Sequence, residues 1–172
     1  MVVINHIDND QADLEAIYQE VREAFGDECL AVNLPSSDSK EVIDCFFKAD
    51  GEPAFSSAES SHTAIVDQAV EVDEELMEIY LDQGEVSAEQ LHDAFEQAMR
   101  EGHLVPVCFV SAHTGIGIPE LLDFIVRLLP SPAEGNPPHF KNGFGDDAQK
   151  VEVSPDPEKH VLAHVFKVSF DS

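Results

Sequence analysis

The sequence predicts an α/β protein, a parallel sheet of short apolar strands flanked by amphipathic helices and interrupted by an inserted α+β segment. Two runs, Val-Val-Ile at 2–4 and Leu-Val-Pro-Val-Cys-Phe-Val at 104–110, are apolar throughout instead of alternating, as in strands buried on both faces of a parallel sheet. Each leads into a short polar loop and then into helical periodicity, the strand and helix alternation that parallel sheets need. With 43% hydrophobic residues and 11 Phe in 172, the chain can fill a sizeable core, which argues against wholesale disorder despite its charge.

After the first strand comes the polar turn Asn5-His6-Ile7-Asp8-Asn9-Asp10, then Leu14, Ile17, Val21 and Phe25 at helical spacing. This predicts an amphipathic helix with Asn9 or Asp10 as N-cap and Gly26 as its stop. A second apolar run over 29–34 ends at Pro35. Residues 42–48 are β-rich and precede Asp50-Gly51, which predicts a hairpin returning through Phe55. Ile65, Ala69, Val72, Leu76 and Ile79 then form one stripe on a long helix closed by Gly84. Ser87-Ala88-Glu89-Gln90 is a capping box for a further helix ending at Gly102. Pro106 removes a ladder donor, so it belongs near the start of its strand or on an unpaired side. Pro119 suits the first turn of a last helix, which continues through Leu128 to Pro130. The Pro- and Gly-rich stretch that follows reads as a linker. Residues 161–170 alternate like the first strand of another domain, and both ends of the chain have the look of truncations.

Asp and Glu total 35 against 9 Lys and Arg, a formal charge of -26. That balance speaks against direct nucleic-acid binding and against docking on anionic lipid, both of which need clustered cations. No apolar run approaches the roughly 20 residues of a membrane span, and no signal-peptide pattern opens the chain. Cys29, Cys45 and Cys108 match neither a disulfide framework nor a zinc pattern and read as reduced thiols of a cytoplasmic protein. The eight histidines are scattered without convincing ligand spacing, so no metal site is expected. Asp8-Asn9-Asp10 lacks the Gly and Glu of a calcium loop, and Gly115-Ile116-Gly117 lacks the third Gly of a dinucleotide turn and reads as a simple loop.

Ligands of open α/β sheets bind beyond the carboxyl ends of the strands, where the loops Asn5-His6-Ile7-Asp8 and Ser111-Ala112-His113 lie. The residue types suit guanine. A carboxylate at Asp8 can accept the paired N1 and N2 hydrogens that adenine does not offer, Asn5 can pin the two loops together, and the Ala112 N–H can donate to O6. Turn chemistry and helix capping are the alternative account of Asn5 and Asp8.

In order along the chain, Val-Ile-Asn-His-Ile-Asp at 3–8 resembles the Asn-Lys-x-Asp base-recognition loop of elongation factor G and its paralogues, the translational GTPases. Glu-Glu-Leu-Met-Glu-Ile-Tyr-Leu at 74–81 is similar to their acidic Glu-Leu-Met-x-x-Tyr-Leu stretch, and Val-Pro-Val at 105–107 running to Ser111-Ala112 to the strand before their second guanine loop. Leu-Leu-Asp at 121–123 through Leu-Pro-Ser-Pro at 129–132 resembles the end of the GTPase domain.

The resemblance implies part of a P-loop GTPase-type fold, with two parallel strands side by side. It divides the chain into GTPase-domain residues 1–28, an inserted subdomain 29–102, the domain's end 103–132, a linker 133–158 and the opening strand of a β-barrel second domain 159–172. It further implies GTP or GDP as ligand, read by Asn5, His6, Asp8, Ser111, Ala112 and His113, in a parent that couples GTP hydrolysis to ribosomal translocation or recycling. His6 replaces the family's usual Lys, which puts base affinity in question. The 172 residues contain no Gly-x-x-x-x-Gly-Lys-Ser/Thr loop, switch threonine or Asp-x-x-Gly-His motif, so catalytic residues and magnesium ligands are expected upstream and the chain alone is expected to be inactive.

Between Lys48 and Arg100, 51 residues include no Lys or Arg and 14 Asp or Glu. A solvated helix face is the plain account. By resemblance the stretch is a docking surface for the mobile stalk protein of the large ribosomal subunit, through Glu71, Glu74, Glu75 and Glu78. The competing overall account is an acidic, non-enzymatic protein-interaction module.

Overall fold

The computed structural model describes all residues except 48–49, 84–85, 130–139, 144, 146–147, 152–153, 155, 160–166 and 170–172. The chain divides into two units, Met1–Leu129 and Pro130–Ser172.

The first unit is α/β, as expected, and its sheet is parallel. The central strand β5 (Val105–Phe109) pairs on one side with β1 (Val2–Ile4) and on the other with β2 (Cys29–Ala31). The sheet therefore has three strands where the sequence suggested two. Cys29, assigned from sequence to the insertion, opens a triplet buried on both faces, and such a triplet satisfies the second edge of β5. Pro106 is the second residue of β5. Val105 N–H donates to the Glu28 carbonyl and Val32 N–H to the Val107 carbonyl, so odd-numbered residues of β5 turn their backbone groups toward β2. Pro106 consequently has its missing donor on the β1 side, level with the start of that strand.

Helix α1 (Leu14–Phe25) is capped by the Asp13 carboxylate, which accepts the Ala16 N–H at 3.0 Å. The cap is neither Asn9 nor Asp10, because Asn9 is used in a turn of its own. Its N–H donates to His6 and its side chain accepts the Gln11 N–H, lengthening the loop by a turn. Gly26 ends the helix as expected, its N–H returning to the Arg22 carbonyl.

In the insertion, β3 (Asn33–Pro35) pairs antiparallel with β4 (Val42–Asp44). The anticipated hairpin over 42–48 and Phe55 does not form. The Asp44 carboxylate accepts the N–H groups of Phe46 and Phe47, both at 2.8 Å, and turns the chain out of the strand. The returning segment meets β3 instead, through a Ser36–Pro53 bridge and an Ala54 N–H donated to the Pro35 carbonyl. The single long helix is two, α2 (Ala58–Val70) and α3 (Glu74–Gln83). Asp73 accepts the N–H groups of Glu75 and Leu76 and so caps a new helix inside the apolar stripe. The spacing remains in phase across the break, which is why periodicity alone does not reveal it. Gly84 lies outside the described residues. Helix α4 (Ala88–Glu101) has the expected capping box and ends on Gly102 at φ +81°. Helix α5 (Ile118–Leu128) carries Pro119 in its first turn.

Two aromatic triads pack the insertion against the rest of the unit, one onto strand β5 through Phe109 and one onto the last helix, residues 118–128, through Phe124. Tyr18, Phe55 and Phe109 have ring centroids 5.7–6.2 Å apart, and Phe46, Phe95 and Phe124 4.5–6.3 Å apart, in mostly edge-to-face contacts. Two side chains replace missing strands. Beyond β2, Asn33 accepts the Phe109 N–H at 2.7 Å and donates to the Phe109 carbonyl at 3.2 Å, as a paired residue would. On the free edge of β2, the Tyr18 hydroxyl donates to the Cys29 carbonyl and accepts the Ala31 N–H. Burial raises the Tyr18 pKa and pushes the Cys45 and Cys108 thiols up to about 12.

The second unit contains β6 (Lys141–Asn142) paired antiparallel with β7 (Gln149–Lys150), a short ribbon within the stretch taken from sequence as linker. Gly143 and Gly145 have φ of +104° and +72° between its strands. Of the strand expected at 161–170, only 167–169 are described, and they are not in a strand.

Candidate functional site

Because Ile4 pairs with Phe109, β1 and β5 end level and their loops leave the sheet side by side. The first loop is fixed from below by the buried Ile7, whose N–H donates to the Val110 carbonyl, while Val110 N–H donates to the Ile4 carbonyl. His6 adopts φ +65° within this loop, and Asn5 and Asp8 to either side of it reach residues 112 and 111 of the second loop. The second loop folds on itself: Ser111 N–H donates to Ile116, Gly115 N–H to the Ser111 carbonyl and Thr114 N–H to the Ser111 hydroxyl.

Gly117 makes that closure possible. Its φ is +72°, and a Cβ there would stand 2.6 Å from the Phe109 carbonyl oxygen. From sequence this glycine reads as plain loop; the available signal was a Gly two residues before Pro119 at the end of a buried strand.

Two hydrogen bonds tie the loops together. The hydroxyl of fully buried Ser111 donates to Asp8 Oδ1, and Ala112 N–H donates to Asn5 Oδ1 at 3.0 Å. Asn5 also accepts the His6 N–H at 2.8 Å. The pin expected of Asn5 is thus present, and it occupies the Ala112 N–H that was expected to meet an incoming oxygen. The Ser111 hydrogen bond holds the Asp8 carboxyl below its ordinary value, against some desolvation, with smaller lowering contributions from its own backbone N–H and then from His113 and His6. Asp8 is therefore an ionised, acceptor-only group whose hydrogen bond across the two loops comes from the Ser111 hydroxyl. His6, Ala112 and His113 are exposed around it. The arrangement is a fixed anion beside a polar rim, suited to a flat ring that presents two adjacent N–H donors.

The four acidic residues singled out from sequence are on two elements. Glu71 is the C-cap of α2 and takes a hydrogen bond from Gln68, while Glu74, Glu75 and Glu78 are exposed on α3. No helix among the described residues is long and apolar enough to cross a membrane.

The family model of the elongation factor Tu GTP binding domain matches residues 1–131. Elongation factor G of Fervidobacterium nodosum is 31% identical over 98% of this chain and 27% of its own length. An elongation factor G-like protein of Thermotoga maritima is 29% identical over 99% of this chain and 26% of its own. A crystal structure of a protein from Thermus thermophilus superposes with a TM-score of 0.64 at 31% identity, covering 78% of this chain and 22% of that one. The chain thus spans about a quarter of the length of these curated relatives.

Proposed function

The chain belongs to the family of the elongation factor Tu GTP binding domain, and from that premise we propose that it carries the guanine-reading loops of an elongation factor G-like translational GTPase. The observation that carries this is the double tie between the loops, Ser111 to Asp8 and Asn5 to Ala112. Asp8 accepts the guanine N1–H and N2–H, with Ser111 holding its orientation and charge. Ala112 N–H turns from Asn5 toward O6 or is shared between them, while His6 and His113 flank the ring. Adenine is rejected because its edge places an acceptor where Asp8 needs a donor. The phosphates and magnesium are held by parts of the family's site with no counterpart motif in these 172 residues. The whole protein acts on the ribosome in the cytoplasm, coupling GTP hydrolysis to translocation or recycling.

Amide chemical shifts during titration with guanosine and with adenosine test the reading. Asn5, Asp8, Ser111 and Ala112 respond to guanosine and not to adenosine; equal responses, or none to guanosine, would remove the assignment. His6→Lys in the longer protein tightens GDP binding by restoring an aliphatic stem along the base.

A second surface is supported by the exposure of Glu74, Glu75 and Glu78 on α3. It docks the stalk protein of the large ribosomal subunit by electrostatic steering. Replacing the three by Gln weakens binding to isolated stalk protein and flattens its salt dependence; unchanged binding excludes the surface.

A further inference from the structure

We propose a divalent transition-metal site on α4, formed by His92, Asp93 and Glu96 and suited to Zn²⁺. One ligand atom from each lies within 4.8 Å of the others. What distinguishes this from an ordinary acidic surface is the ring of His92. Its Nε2 is 2.8 Å from the carbonyl oxygen of Arg127 on α5, so in the neutral imidazole Nε2 carries the hydrogen and Nδ1 is a bare lone pair. Nδ1 faces the Asp93 carboxylate at 3.6 Å. Three acceptors then converge with no donor among them, an arrangement that a cation between them relieves. Among the described residues no Lys or Arg pairs with Asp93 or Glu96. The nearby Arg127 guanidinium is committed to Asp123 at 3.0 Å and to the Phe47 ring.

The donor set selects the ion. One imidazole nitrogen with two carboxylates suits borderline Zn²⁺, whereas Mg²⁺ and Ca²⁺ favour oxygen alone. A histidine ligand whose other nitrogen donates to a backbone carbonyl is the usual outer-shell support of a metal site, and here Arg127 supplies it. His92 and Glu96 are half-buried, which limits how far their side chains must be ordered on binding, and the charge of -26 raises the local cation concentration. Histidines scattered along the chain offered no reason to expect a metal. The missing information was the α5 carbonyl, 35 residues from His92, that sets the ring. A bound ion would rest on α4 while its ligand is fixed by α5, so occupancy stiffens the joint between the insertion and the last helix of the first unit.

The test is calorimetric titration of the metal-stripped full chain with zinc chloride, with visible absorption of the Co²⁺ form as a second readout. One saturable site is expected, weakened about tenfold or more by His92→Ala and by the near-isosteric Glu96→Gln, and retained by His103→Ala. Zinc raises the unfolding temperature of the wild type but not of His92→Ala, and magnesium does neither. Absence of saturable zinc binding, or affinity unchanged in both His92→Ala and Glu96→Gln, overturns the site. Glu96→Gln decides the matter if His92→Ala fails to fold.

Discussion

Asn33→Ala removes a side chain that acts as a strand. Asn33 is 5% exposed and Phe109 fully buried, and the amide of the first satisfies both backbone groups of the second. Truncation strands an N–H and a C=O with no room for water except what the lost amide leaves. At about 1–3 kcal/mol for each of the two buried groups left unsatisfied, the expected loss is about 2–6 kcal/mol. For a chain of this size that lowers the unfolding midpoint by about 4–24 °C. Urea denaturation followed by circular dichroism should show a lower midpoint at unchanged slope, and the Phe109 amide should exchange faster. Asn33→Asp is the sharper variant. Its carboxylate still accepts from Phe109 N–H but sets an anion against the Phe109 carbonyl, so it should be at least as damaging as Ala at neutral pH. Burial raises the pKa of that new carboxyl, and stability therefore returns as pH falls through it. A loss under about 1 kcal/mol for Asn33→Ala, or no recovery of Asn33→Asp in acid, would refute the strand-substitute account.

Ser111→Ala removes the largest cause of the low Asp8 pKa, so the Asp8 carboxyl should rise toward 3.8 in a carbon-detected titration; an unmoved value rejects the tie. The sign of its pH dependence follows from the depressed folded pKa: Asp8 contributes stability above its ordinary value, which is lost as pH falls through the lowered one. Gly117→Ala meets both a left-handed backbone and the Phe109 carbonyl, and should cost about 2 kcal/mol or more in thermal unfolding. Tyr18→Phe leaves Cys29 C=O and Ala31 N–H without their hydroxyl and should cost about 1–3 kcal/mol, with faster exchange of the Ala31 amide.

The class, the helices and the candidate loops were legible because local chemistry specifies them. Two fully apolar runs followed by polar loops mark parallel strands, and Ser87, Gln90, Gly26 and Gly102 announce helix ends through caps that need only neighbouring residues. Asn5, Asp8 and Ser111 stood out because each is a short polar group at the end of such a strand. Where reading failed, two local signals competed or a distant group decided. Asp73 caps a helix inside an unbroken stripe, Asn9 serves a turn instead of a helix, and Asp44 ends β4 early.

The α/β alternation, most helix ends and the chemistry available at the two loops are thus written in the order of residues alone. Three features are not, and emerge from the folded core: Cys29–Ala31 joins the sheet, Asn33 completes β5 across 76 residues, and the Ala112 N–H is held by Asn5. Periodicity and capping are functions of neighbours a few residues away. Edge pairing is a contest among all unsatisfied backbone groups in the fold, and its outcome depends on which of them the packed core brings within about 3 Å.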